Sequence, residues 1–385
     1  MPPKPQPKRC WPRQRLNDVT SLTRQTGILP SQTIEALAAA GHIATPQPFA
    51  VGQVQPASLD LRLGLRVFRV RASFLPGRDS TVAERLKSLS LFEIDLSKGA
   101  VLETGAVYVA EILESVTLPD WMAAAANPKS STGRLDVFTR VITDHSREFD
   151  QIAQGYKGPL YLEISPRTFP VLVRTGSRLS QLRFRAGAVR LDDQELRALH
   201  VSEKLVTSSE PSIESSGVAV SVDLAGFNGE GLIGYAAKRH TGVVDVDRVG
   251  ACKAADFWDP LYVSARRELI LDPDLFYILA SKEAVHVPPD YAAEMTPFDP
   301  LVGEFRVHYA GFFDPGFGHA GAGGAGSRAV LEVRSRDVPF ILEDGQIVGR
   351  LVYERMAARP AALYGADLKS NYQAQGLKLS KHFVL

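Results

Sequence analysis

The chain has 385 residues, enough for two domains with a core each, and its formal net charge of +1 draws it to neither nucleic acid nor an anionic membrane. No apolar run approaches the ~20 residues of a membrane span, and nothing at the N-terminus reads as a signal peptide. Only Cys10 and Cys252 are present, and neither they nor the eight scattered histidines have metal-ligand spacing, so no disulfide framework and no protein-bound zinc are expected, and a reducing cytoplasm fits.

Residues 1–20 are basic and proline-rich, with Lys4, Lys8, Arg9, Arg13 and Arg15, and read as a disordered tail rather than a nucleic-acid arm. Ser31 to Ala40 (SQTIEALAAA) predicts a helix capped by Ser31, with Ile34 and Leu37 on one face and Gly41 ending it. Most of the remainder reads as short strands. Leu59, Leu61 and Leu63 alternate with Asp60, Arg62 and Gly64, and Val107 to Val116, Leu160 to Ile164, Phe276 to Val287 and Ala329 to Val333 are also strand-like. Proline and glycine punctuate them as in all-β barrels and sandwiches. Leu191 to Leu199 predicts a short helix, and Thr207 to Ser216 (TSSEPSIESS) is polar and serine-rich. Gly316 to Gly326 (GFGHAGAGGAG) lacks the Gly-Lys-Ser/Thr ending of a phosphate loop and reads as a flexible hairpin insertion. The expected division is a tail over 1–20, a first lobe over 21–190, a linker over 191–216 and a second lobe over 217–385.

The chain repeats itself. Residues 102–184 recur at 271–353 with a constant offset of 169. Tyr108, Glu114, Val116 and Pro119 meet Tyr277, Glu283, Val285 and Pro288, and Leu162-Glu163-Ile164 meets Leu331-Glu332-Val333. A duplication sets the architecture before any motif is read.

Three stretches of the first copy resemble one family. They are Gln55 to Gly64 (QPASLDLRLG), Lys129-Ser130-Ser131-Thr132-Gly133-Arg134-Leu135, and Leu160-Tyr161-Leu162-Glu163. They are similar to the early strand, the Arg-Ser-Ser-x-x-Arg-Leu segment and the glutamate strand of the deoxycytidine triphosphate deaminases, in the trimeric dUTPase-like superfamily. The second copy resembles the family in complementary places: His308 to Phe317 (HYAGFFDPGF), Ala329-Val330-Leu331-Glu332, and the tail with Tyr364, Tyr372-Gln373-Ala374-Gln375-Gly376 and Ser380-Lys381. The second copy lacks the Ser-Ser-x-x-Arg element, since Thr296 to Gly303 stands there. The first lacks the Asp-Pro-Gly turn and a closing tail.

The resemblance implies a mainly β fold of two dUTPase-like β-clip, distorted jelly-roll barrel lobes with a few short helices, and homo-oligomers, trimers foremost. It also implies a site divided between neighbouring lobes. Copy one would supply Ser130 and Arg134. Copy two would supply Ala310, Asp314, Glu332 and the tail, while Glu163 would belong to a site without a good partner. The implied substrate is a deoxynucleoside triphosphate arriving with Mg2+. The implied reaction is zinc-independent deamination of dCTP to dUTP and ammonia, with Glu332 as general base and acid. Ser130 and Arg134 would hold water and stabilise charge. Lys129, Arg134, Lys369 and Gln375 would meet phosphates, Ser131 would join the substrate-binding set, and Tyr364 and Tyr372 would belong to the tail that closes over the nucleotide. Each residue alone has a bland reading: a strand-face glutamate, a loop serine, a surface ion pair, a turn. Three rivals stay open: a dUTP diphosphatase, a bifunctional deaminase-diphosphatase, and a non-catalytic nucleotide-binding relic. In an enzyme the Ser130/Arg134 element and Glu332 must converge; in a relic they need not.

Overall fold

The computed structural model describes residues 26–208, 210–226, 229, 231–297, 305–308, 311–320, 324–335, 337–365 and 376–385, with backbone alone for Pro297 and 305–308. The tail expected over 1–20 lies outside them. The fold is mainly β: two distorted barrel-like lobes of the β-clip kind, with five short helices among the described residues.

The first lobe opens on the helix Ser31–Ala39. Its cap is Pro30 rather than Ser31, with no side-chain cap bond. Pro30, at φ −78°, is extended, and its carbonyl accepts from the Thr33 and Ile34 amides. The Ser31 hydroxyl turns to Gln32 instead. Proline suits the position because it has no N–H to satisfy and its φ is already set. Ile34 and Leu37 are fully buried. Gly41, at φ +82°, ends the helix in the left-handed region.

An antiparallel path then runs through Gln151–Ile152, Met122–Pro128, Arg178–Ala186, Ser58–Val70, Val107–Thr117, Lys157–Pro166 and Val137–Thr143. Every residue from Ser58 to Gly64 is buried, polar positions included. Arg62 pairs at 2.7 Å with the buried Glu114, and Asp60 faces Lys129. Gly64 is needed where the register with Val107–Thr117 slips, because a Cβ there would lie 3.0 Å from the Glu111 carbonyl.

The second lobe repeats the pairing. Lys157–Pro166 sets Glu163 opposite Val109, and Ser327–Ser335 sets Glu332 opposite Ile278. Both positions advance by the 169 residues of the repeat, so the duplication holds in strand register as well as in sequence. Segment 191–216, read above as a linker, carries the helix Asp193–Glu203, opened by an Asp192/Glu195 capping box. Its Leu196 and Leu199 lie in the second lobe's core with Ile213.

The lobes are not independent. Phe169 of the first meets Trp258 and Phe257 of the second at 5.3 and 5.5 Å between ring centroids, and Phe383 of the C-terminal strand packs on all three. Val244–Asp245 adds in parallel to the first lobe's Val171–Val173. Among the described residues no helix is long and apolar enough to cross a membrane.

Candidate functional site

Strand Met122–Pro128 delivers the chain to a one-turn helix, Ser130–Gly133, with Lys129 as its cap and Arg134 at its end. The turn aims the Arg134 guanidinium into the lobe boundary, where its side chain is 4% exposed. There Arg134 Nε lies 3.9 Å from Glu332 Oε1, and Nη1 donates to the Lys378 carbonyl at 3.0 Å. A residue of the first copy and the glutamate of the second therefore meet within one chain. Burial pushes the Glu332 carboxyl up to about 8; Arg134 pulls the other way and Asp136 adds to the rise. A carboxyl so placed exchanges its proton near neutral pH, as a group acting alternately as base and acid must.

Glu163, its counterpart, sits differently. Arg140 arrives across the strand pair, with Nη2 2.6 Å and Nε 3.0 Å from Glu163 Oε1. The guanidinium is itself held between the rings of Phe138 and Phe149. Glu163 lines a cleft of about 430 Å³ with Ser73, Phe138, Arg140, Arg167 and Arg334. Asp136 lines the same cleft, whereas Ser130, Arg134 and Glu332 are not among its lining residues.

At the cap of the same one-turn helix, cations gather about Asp60. Lys129 Nζ is 2.5 Å from both carboxylate oxygens of Asp60, and Arg178 is 3.4 Å from the same group. Burial, with Lys129 and Arg178 nearby, holds the Lys381 ammonium below its usual range. Asp314 is buried and receives Arg183 Nη2 at 3.5 Å. Burial lifts its carboxyl to about 6 against the pull of Arg183 and Lys129. The C-terminal segment covers Ser131, whose carbonyl lies 2.8 Å from Ser380 Oγ; His382 Nδ1 is 2.9 Å from the same hydroxyl. The Tyr364 amide donates to Pro315, and its ring packs 5.7 Å from Phe317. Ala310, Lys369, Tyr372 and Gln375 lie outside the described residues, as does most of the Thr296–Gly303 stretch.

Sequence reasoning missed Asp60, Asp136, Arg183 and Arg334. Asp60 stood inside a quoted motif, but the period-2 pattern gives no sign that a polar strand position is buried against Lys129 and Arg178. Arg183 is similarly placed: it crosses into the second lobe to meet Glu354 at 3.3 Å and the Ala293 carbonyl at 3.0 Å, with its guanidinium over Phe312. Among the described residues no three His, Cys, Asp or Glu side chains converge as a metal-binding set.

Comparison with known proteins identifies the family. Residues 25–188 match the model of the 2'-deoxycytidine 5'-triphosphate deaminase N-terminal domain, and residues 192–383 match that of its C-terminal domain. The chain is 31% identical over 158 residues to a protein of Beutenbergia cavernae named "dCTP deaminase, dUMP-forming", covering 41% of this chain and 78% of the relative. A Nanoarchaeum equitans protein of the same name is 30% identical over 183 residues, covering 43% and 87%. The crystal structure of 2'-deoxycytidine 5'-triphosphate deaminase from Agrobacterium tumefaciens superimposes with a TM-score of 0.85 and 63% identity, over 89% of this chain and 99% of that one. Two family domains in order, a shared fold and this identity over most of the chain lead to one conclusion: the chain belongs to the 2'-deoxycytidine 5'-triphosphate deaminase family.

Proposed function

We propose that the chain hydrolyses the 4-amino group of dCTP, with water, to dUTP and ammonia, at one divided site per chain. The observation that carries this reading is the approach of Arg134 to the buried Glu332 across the lobe boundary. Glu332 takes a proton from water as its oxygen bonds to C4 of the cytosine. That proton passes to N3 as the C4–N3 double bond opens; the proton of the new hydroxyl then passes by way of Glu332 to the leaving amine, the bond from C4 to that amine breaks, and a C4 carbonyl and an N3–H remain. Arg134 and Ser130 hold the water and stabilise the charge that builds at the base, without zinc. Lys129, with Arg178 and Lys381 beside it, faces the triphosphate, whose magnesium arrives with the substrate. Ser131, Asp314 and Tyr364 shape the pocket; Ala310, Lys369, Tyr372 and Gln375 keep the substrate-binding roles proposed from sequence. The working form is a homo-oligomer, three chains with six lobes in a closed ring, in the cytoplasm.

A second reading has a specific observation behind it. The relatives quoted above are named as dUMP-forming, which would add release of diphosphate from dUTP to the same chain. The test is product identity. Purified chain with magnesium is given dCTP, CTP, dCMP and dUTP, and ammonia, nucleotide and diphosphate are measured. Ammonia with dUTP from dCTP supports the first reading, and dUMP with diphosphate supports the second. No turnover by well-folded protein returns the non-catalytic reading to the front.

A further inference from the structure

Asp136 stands two residues after Arg134, and Arg334 two residues after Glu332. Glu332 and Arg334 are alternate residues of the strand Ser327–Ser335 and share a face, while Arg134 and Asp136 are carried by the turn that ends the one-turn helix, and two ion pairs cross the same boundary. Arg134 of the first lobe faces Glu332 of the second, and Asp136 of the first bonds to Arg334 of the second, with the charges reversed. Asp136 is 1% exposed and sits at φ +54°, a conformation costly for a residue with a side chain. Its Oδ2 receives both Arg334 Nη2 and the Thr168 hydroxyl, the latter at 2.5 Å. Its own backbone is tied at both ends, N–H to Gly133 and carbonyl to the Arg167 amide. The second pair has no counterpart in the repeat. The residue 169 positions before Arg334 is Ser165, and that 169 after Asp136 is Phe305.

We propose that Asp136 is a positioning residue for the divided site, holding Arg334 away from Glu332 and locking the glutamate strand against the segment that carries Arg134. The inference rests on the site assignment above. Without the Asp136 carboxylate, Arg334 keeps the Asp274 carbonyl at 2.5 Å, the Thr168 hydroxyl at 2.9 Å and the exposed Asp274 carboxylate at 3.9 Å, but loses its buried counter-charge, and its own charge then compensates Glu332. Glu332 then ionises too readily to return a proton to the leaving group. The charged groups facing Glu332 are Arg134 and Asp136 from the first lobe, with Arg334 on its own strand. Its register partners are the apolar Ile278 on one side and His308 on the other.

The experiment follows Glu332's titration in two ways. The first is the pH dependence of kcat/KM on dCTP with magnesium. The second needs no turnover: the difference in thermal stability between each protein and its Glu332→Gln derivative, followed from pH 5 to 9. Asp136→Asn is expected to move the Glu332 midpoint down by about one unit or more and to lower kcat about tenfold or more. Arg334→Gln, which leaves Asp136's charge uncompensated, is expected to move the midpoint the opposite way. The Asp136→Asn/Arg334→Gln pair is expected to return it toward the wild-type value. Should Asp136→Asn fold poorly, the upward shift in Arg334→Gln still decides the matter. Midpoints that stay at the wild-type value in both single variants, or that move in the same direction, overturn the proposal. If the wild type turns over no dCTP, the site reading fails on its own, while the stability measurement still reports on Asp136.

Discussion

Two glutamates at equivalent places in a repeat meet opposite surroundings, and the difference is a single cation's position. Glu163 Oε1 accepts from two nitrogens of Arg140, whereas Glu332 has Arg134 at 3.9 Å and burial against it. The consequence for stability has a definite sign. Glu332's carboxyl is raised from its ordinary 4.5 to about 8, so folding favours its protonated form. That contribution is complete below pH 4.5 and is lost as pH rises through 8. Urea unfolding across this window is expected to show the wild type losing stability relative to Glu332→Gln, which cannot ionise. Arg140→Met is expected to destabilise by about 3–5 kcal/mol, because it leaves Glu163 buried without its cation, and to leave dCTP turnover in the folded fraction nearly intact. Both glutamates were legible as LYLEI and AVLEV. Arg134 was named with Glu332 through the family resemblance, but Arg140 was not read as the partner of Glu163, because it reaches Glu163 through a strand register that no local pattern encodes.

At the scale of elements, strand Arg178–Ala186 is the main strut between the lobes. Arg183 is 2% exposed and carries Glu354, Asp314 and two carbonyls of the second lobe. Replacing it with methionine fills similar space but strands two buried carboxylates, so a loss of about 3–5 kcal/mol is expected in chemical denaturation. The loss should be smaller at low pH, where the raised Asp314 carboxyl takes a proton. The C-terminal strand is the second strut. Phe383→Ala opens the cluster with Phe169, Phe257 and Trp258, at an expected cost of about 3 kcal/mol. It is also expected to raise KM for dCTP, since the same segment presents the Lys378 carbonyl to Arg134. Strands with apolar runs, and helices at 31 and 193, were readable from the residue pattern, although the cap read at Ser31 is Pro30. Reading 191–216 as a linker underrated Leu196, Leu199 and Ile213, three apolar residues in a polar context that are buried together.

For the whole molecule, the repeat predicted two lobes of one fold, and the way they join shows how a third could be added. In the first lobe the pair Ala100–Leu102 and Val171–Val173 is covered by Val244–Asp245 of the second. The equivalent pair, Glu268–Leu271 and Phe340–Glu343, has no third strand among the described residues. Ile270 and Ile341 face each other across it, each 54% exposed. Open apolar edges invite another chain, and head-to-tail contacts that close make a ring. Light scattering is expected to give a trimer for the wild type and a smaller species for Ile270→Lys/Ile341→Lys. An unchanged mass would place the interface elsewhere.

The division of one site between two copies is tested most directly by comparing wild type, Glu332→Gln and Glu163→Gln for ammonia release from dCTP with magnesium. Loss of about 10²–10⁴-fold in Glu332→Gln, with Glu163→Gln near wild type, is the predicted result. Loss through Glu163→Gln, with Glu332→Gln still active, would put the chemistry in the first copy and contradict the account.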